Sequence, residues 1–172
     1  MSSLRRVWRL KKLKLTTKLC IYRTCVIPVL LYGSETWTLL KCDFGRLKAF
    51  HLRCQRSILG IRWFDYISNN EIIGTTQFPS IASLILRRQR ALFSHIVRLD
   101  DNTPAKKALN IAINAWKGRP PATGWTRPRG RPRSPWIAQL GRPSKVEAIW
   151  NQAVQHGHMR SARRTNVVFA AD

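Results

Sequence analysis

The stretch LTTKLCIYRTCVIPVLL, residues 15–31, sets the fold class. Leu15, Leu19, Tyr22, Val26 and Leu30 recur at steps of three and four, the period that lays one apolar stripe along a helix. A bend is expected at Pro28, because proline has no N–H to give to the backbone ladder. Gly33 stands where a helix C-cap would fall, and residues 34–39 read as a turn followed by a short extended piece carrying Trp37.

The helical period continues outward from there. Asp43 is the expected N-cap of the next helix, on which Leu47, Phe50, His51, Cys54, Ile58 and Ile61 share one face and which Gly60 closes. Ser68-Asn69-Asn70-Glu71 has the spacing of a capping box, with the serine oxygen and the glutamate carboxylate each placed to satisfy an orphan amide. A short helix through Ile73 is expected there, ended by Gly74. Pro79 suits the first turn of a further helix striped by Ile81, Leu84, Ile85, Leu92, Ile96 and Leu99, with Arg87, Arg88, Arg90 and Arg98 largely off the stripe. Asp100-Asp101 and Thr103-Pro104 punctuate before another helix over 104–115.

From residue 116 to residue 133 the pattern changes. Lys117, Arg119, Arg127, Arg129, Arg131 and Arg133 are set among Pro120, Pro121, Gly124, Pro128, Gly130 and Pro132, six basic residues with no acid. Proline at that density excludes helix and inner strand, so the segment reads as an extended basic arm that carries Trp125 and is followed by Trp136. Ser144 is the expected N-cap of a last helix through about Gln155, and disorder is expected past His156. The expected organisation is mainly α: a small helical bundle over 1–115, a Pro/Gly/Trp-rich basic arm over 116–143, and a short C-terminal helix with a disordered tail over 144–172. Hydrophobic residues make up 44% of the chain, enough for a core.

Lys and Arg number 31 against 8 Asp and Glu, a formal net charge of +23. A compact body so charged repels itself, and the imbalance points to a polyanion partner, RNA or DNA first. A membrane surface or a ribosome-like setting would use the same cations. No run of about 18 apolar residues offers a membrane span. Residues 1–15 mix cations with Leu and Trp and lack the apolar centre of a secretory signal, so a nuclear or cytoplasmic setting is expected. Cys20, Cys25, Cys42 and Cys54 accordingly read as reduced thiols.

The chemistry-bearing residue types are sparse. Metal-assisted phosphoryl transfer needs at least two converging carboxylates, and the only adjacent acids, Asp100-Asp101, sit where a helix ends. Cys42, His51 and Cys54 lack the second close ligand pair of a structural zinc site and read as thiols and a core histidine. No Cys-His arrangement marks a nucleophile. No catalytic residue, metal or cofactor is therefore assigned. The binding assignment falls on Lys117, Arg119, Arg127, Arg129, Arg131 and Arg133, with Arg87, Arg88 and Arg90 as a second patch, since guanidinium forks match phosphate oxygens. Trp125 and Trp136 are candidates for stacking on unpaired bases, or for anchoring the arm to the helical body.

Several strings occur together in order. Lys18-Leu19-Cys20-Ile21-Tyr22 is followed by Val26-Ile27-Pro28-Val29-Leu30-Leu31-Tyr32-Gly33-Ser34-Glu35-Thr36-Trp37. Then come Phe50-His51-Leu52-Arg53-Cys54-Gln55-Arg56-Ser57-Ile58-Leu59-Gly60-Ile61 with Trp63, Asp65, Asn70 and Glu71. Arg87-Arg88 with His95-Ile96-Val97-Arg98-Leu99-Asp100-Asp101 follows, and Gly130-Arg131-Pro132-Arg133 with Trp136 closes the series. The series resembles the region downstream of the polymerase palm in LINE-like, non-LTR retrotransposon proteins, over roughly residues 4–140. Ser94 stands where that family has glycine, and the tail after Gly141 departs from its pattern.

The resemblance implies a parent with endonuclease and magnesium-dependent reverse transcriptase activity, whose catalytic aspartates lie upstream. This sequence has no aromatic-x-Asp-Asp hairpin. It further implies that residues 1–115 are thumb-like, that this portion holds template RNA and target DNA behind the active site, and that the absent palm is a protein partner. Two other readings stay open, a decayed open reading frame without selected function and a basic structural RNA-binding protein of ribosomal type.

Overall fold

The computed structural model describes residues 2–119 and 135–168, and among them all regular structure is helical. Two compact units are present, one of Met1–Ser34 with Leu39–Ile85 and one of Glu35–Thr38 with Leu86–Asp172. The division falls inside a helix rather than at residue 115. The reason is that the apolar stripe of helix α6 (Ile81–Val97) is shared between two cores: Ile81 and Ile85 belong to the first, Phe93 and Val97 to the second.

The first unit contains α1 (Ser2–Arg9), α2 (Leu15–Ile21), a π-helical segment (Tyr22–Val26), α3 (Ile27–Leu30), α4 (Lys41–Leu59) and α5 (Asn69–Thr76). Trp8 of α1 is buried against this core, and Lys18 Nζ donates to the Trp8 carbonyl at 2.7 Å, giving the end of α1 a cation and a hydrogen-bond donor. The bend expected at Pro28 takes a different form. The ladder loosens before the proline into the π segment, where the Ile27 N–H reaches back five residues to the Tyr22 carbonyl. One residue is thereby absorbed and the stripe slips in phase. Ile27 and Leu31, not Leu30, continue the buried face of Tyr22 and Val26, while Leu15 is exposed.

Helix ends are set by side-chain bonds that differ from several expectations. Asp43 is not the N-cap of α4. It sits at the third helical position, and its carboxylate accepts from the N–H of Leu40, which precedes the helix. Gly60 does close α4, in the left-handed conformation at φ 74°. Ser68 caps α5 by accepting from the Glu71 N–H at 3.3 Å, but α5 runs through Gly74 and stops at Gln77, whose N–H returns to the Ile73 carbonyl. Pro79 lies outside α6, because the Ser80 hydroxyl takes the capping role and accepts from the Ser83 N–H at 3.1 Å. Residues 34–39 contain a short 3-10 turn, Ser34–Thr36, and no strand.

A chain of buried polar side chains crosses the first core. Tyr22 Oη and His51 Nδ1 lie 2.8 Å apart, the Gln55 amide donates to His51 Nε2 at 2.7 Å, and Thr76 Oγ1 donates to Gln55 Oε1 at 3.0 Å. With Gln55 as donor, the imidazole proton sits on Nδ1. All four residues are buried, and rings of Tyr22, His51 and Phe78 pack on one another at centroid distances of 5.4–5.9 Å. Burial pushes the Tyr22 phenol well above its ordinary value and the Cys54 thiol above its own, so both keep their protons.

The second unit comprises the rest of α6, α7 (Pro104–Trp116), α8 (Trp136–Leu140) and α9 (Pro143–Val168). Its core is Phe93, Val97, Leu109, Ile137, Leu140, Val146 and Ala153, with Trp150 edge-on to Phe93 at 6.1 Å. Lys106 Nζ donates to the Leu99 carbonyl at 2.9 Å, which satisfies an acceptor just past the end of α6. Two expectations change here. Part of the stretch read as arm is the helix α8, since Trp136, Ile137 and Leu140 have helical spacing after Pro135. The last helix starts at Pro143 and extends to Val168, beyond Gln155 and His156. Segment 35–38 joins this unit because its carbonyls are claimed there: Gln89 Nε2 donates to Trp37 O at 2.9 Å and Trp136 Nε1 to Glu35 O at 2.7 Å.

His51 gives the first unit a pH dependence. Burial lowers its pKa below the ordinary histidine value, and the nearby Pro79 carbonyl, which favours a protonated ring, offsets part of that. The unfolded chain therefore binds the proton more readily. Stability is full above about pH 6.5 and falls as pH drops toward the folded value. Urea midpoints measured from pH 7.5 to pH 5 are expected to decrease, and to decrease less in His51→Gln.

Candidate nucleic-acid interface

Helix α4 alternates apolar core contacts with cations. Leu52, Cys54 and Ile58 are buried, while Lys41, Arg46, Lys48 and Arg53 are exposed. On one side of the helix a groove of about 430 Å3 is lined by Lys48, Arg53, Arg56 and Asn69, together with Gly45, Ala49 and Leu52. Three cations and no carboxylate line it. Arg56 is held in position, since its Nη2 donates to the Ile67 carbonyl at 3.0 Å and to Asn69 Oδ1 at 2.9 Å, which employs two of its five N–H donors. The Nε and Nη1 hydrogens left on this fixed guanidinium, beside the two exposed cations Lys48 and Arg53, are donors suited to the oxygens of a phosphodiester.

The loop after α4 presents aromatic rings to solvent. Trp63 and Tyr66 are 84% and 88% exposed, and the Arg62 guanidinium lies 5.7 Å from the Phe64 ring centroid. Asp65 shapes the loop by accepting from the Arg62 N–H at 2.6 Å. Tyr66 occupies the left-handed region at φ 50°, a conformation that costs about 1–2 kcal/mol for a residue with a side chain.

The residues singled out from sequence are distributed unevenly. Arg87 is exposed, whereas Arg88 and Arg90 are half-buried, and Arg90 Nε is buried without a hydrogen-bond partner among the described residues. At about 100° of rotation per residue, positions 87 and 90 lie near one another on α6 and position 88 faces away. Lys117 is ion-paired, its Nζ donating to Glu147 Oε1 at 2.5 Å, and that bond holds the Glu147 carboxyl below the usual range. Arg119 is exposed, its N–H bonded to the Asn114 carbonyl at 2.9 Å. Trp136 is half-buried beside Phe93 with its indole N–H given to Glu35. Arg127, Arg129, Arg131, Arg133 and Trp125 lie outside the described residues.

The groove on α4 was not singled out from sequence, nor was the aromatic loop as a surface. The available signal was a helix carrying cations at 48, 53 and 56, followed within a few residues by three aromatics in the four positions 63–66. Among the described residues, ion pairs tie up Asp43, Asp101 and Glu147. Against 31 basic residues, that leaves the positive charge mostly uncompensated within the chain. No group of three or more metal-ligating side chains occurs among the described residues, and no described helix is long and apolar enough to cross a membrane. Comparison with family models, with curated proteins and with solved structures finds no match.

Gly45 deserves a physical account because a glycine inside a helix costs about 0.5–1 kcal/mol relative to alanine. Among the described residues outside its own stretch of helix, no heavy atom lies within 4 Å of where its Cβ would stand, so none of them requires glycine there. Gly45→Ala is expected to raise unfolding free energy by about 0.5–1 kcal/mol, read from the urea transition.

Proposed function

We propose that the chain is a nucleic-acid-binding portion of a LINE-like, non-LTR retrotransposon reverse transcriptase, without the catalytic palm, that holds RNA or DNA through phosphate contacts. The observation that carries the binding half of this reading is the groove lined by Lys48, Arg53 and Arg56 with no carboxylate, in a chain of net charge +23. Phosphodiesters are the abundant polyanion that such a surface neutralises, and counterion release makes the binding favourable and tolerant of sequence. As read from sequence, Arg119, Arg127, Arg129, Arg131 and Arg133 of the arm and Arg87 would supply further phosphate contacts. Arg88, Arg90 and Lys117 are weaker assignments: two are half-buried, and Lys117 already has Glu147 as counter-ion.

The retrotransposon half rests on the ordered strings alone. The Glu35-x-Trp37 string, the helix bearing Arg87-Arg88 and the closing Trp136 meet through two hydrogen bonds, Trp136 to Glu35 O and Gln89 to Trp37 O. Segments about 50 and 100 residues apart thus serve one packing arrangement within the second unit. In the parent the metal ions and catalytic aspartates belong to the palm. This portion would grip template and target behind it.

Two measurements test the proposal. With about five phosphate contacts, log K on duplex DNA is expected to fall with log salt at a slope near −4 to −5, and Lys48→Ala with Arg53→Ala to reduce that slope by about 0.9 for each contact removed. Affinity indifferent to salt, or no binding at low salt, would refute it. Primer extension by the purified chain with magnesium is expected to give no incorporation above a heat-treated control.

A further inference from the structure

The basic groove on α4 has a neighbour of different character. A second groove of about 450 Å3, again within the first unit, is walled by Phe44, Leu52, Ile73, Phe78 and Ile81, and both grooves border Gly45, Lys48 and Leu52. Its lining includes no carboxylate, and its one charged side chain is Lys48 on the shared edge. His51 and Gln55 are the buried polar groups that reach it, and each is held by the hydrogen-bond chain described above. The volume lies in the range that encloses much of a small molecule or a single nucleotide.

We propose that the two grooves form one site for single-stranded nucleic acid: phosphates lie along Lys48, Arg53 and Arg56, and an unpaired base enters the apolar groove against Phe44 and Phe78. The inference rests on the nucleic-acid reading and adds the form of the ligand. Charge and apolarity are segregated to the two sides of one edge, as they are in a nucleotide. A base held in a duplex cannot leave its stack to fill such a groove without unpairing, whereas an unpaired base has an aromatic face free for stacking.

Gly45 stands on the edge common to both grooves, and a Cβ there would project into open space. An acidic peptide with an apolar anchor would satisfy part of the same pattern. Aromatic walls and three cations with no intervening acid favour the nucleic acid.

The test uses the full chain and fluorescence anisotropy with labelled oligo(dT), the same strand made abasic, and poly(Glu) as competitor. Wild type is expected to bind oligo(dT) about 5- to 150-fold more tightly than the abasic strand, the range that stacking of one base supplies. Ala82 is exposed and lines only the apolar groove, so Ala82→Leu is expected to abolish that preference while leaving abasic affinity unchanged. Arg53 is exposed and lines only the basic groove. Arg53→Ala is expected to weaken both strands equally and to reduce the salt slope by about 0.7. Circular dichroism and thermal melts of both variants report that the fold is retained. A preference that survives Ala82→Leu, no preference in wild type, or displacement by poly(Glu) as effective as by oligo(dT) would overturn the single-strand site while leaving phosphate binding standing. No binding to any strand at low salt would overturn both.

Discussion

The imidazole of His51 is the point on which the first unit turns. It is buried, uncharged and bonded at both nitrogens, and the groups of its hydrogen-bond chain come from three separate stretches: Tyr22, Gln55 and, beyond Gln55, Thr76. A buried polar group left without a partner costs more than a made hydrogen bond returns, so these stretches are constrained together. Their meeting fixes which face of α4 is turned inward. Once His51, Leu52, Cys54, Gln55 and Ile58 are inside, the cations at 48 and 53 stay outside. The second unit follows the same rule through Gln89 and Trp136, whose N–H groups capture the carbonyls of a segment that is remote in sequence.

Much of the helical layout was legible because it depends on local period. Residues 41–59, 81–97 and 104–116 carry apolar positions at steps of three and four, and α7 begins at Pro104 as its sequence indicates. Errors concentrate where one side chain decides a boundary. Ser80 outcompetes Pro79 as the start of α6, Gln77 rather than Gly74 ends α5, and the π segment shifts the stripe of α3 by a residue. Helix α8 was hidden because the prolines, glycines and arginines on its N-terminal side dominate the composition of that stretch. The partition into two units was illegible for a different reason: α6 reads as one uninterrupted stripe, and the bond from Trp136 to Glu35 that draws segment 35–38 away spans 101 residues.

The candidate interface was legible as charge and not as shape. Composition pointed to a polyanion, and arginine density drew the assignment toward residues 116–133, which lie mostly outside the described structure. The groove on α4 draws on cations separated by five and three positions, on Asn69 from the start of the next helix, and on a glycine whose meaning is an empty space. None of these registers as a motif along the chain. Conversely, Lys117 looked like part of a basic run, yet it faces an acid 30 positions away.

The π segment has a bearing on how chain length can vary here. Between Tyr22 and Pro28 the backbone carries one residue more than an unbroken α-helix would need to join the same two faces, so the surplus is stored locally and the helices on either side remain in register with the core. Removal of one residue, Thr24 for example, would restore a regular ladder in phase, with the pyrrolidine ring then set against the carbonyl four positions back. A second added residue has no comparable outlet: it would rotate Ile27 and Leu31 out of the core by about 100°. Length is thus constrained from both sides at this point: growth turns the buried face away from the core, and shortening returns the proline ring to a clash that the π segment avoids.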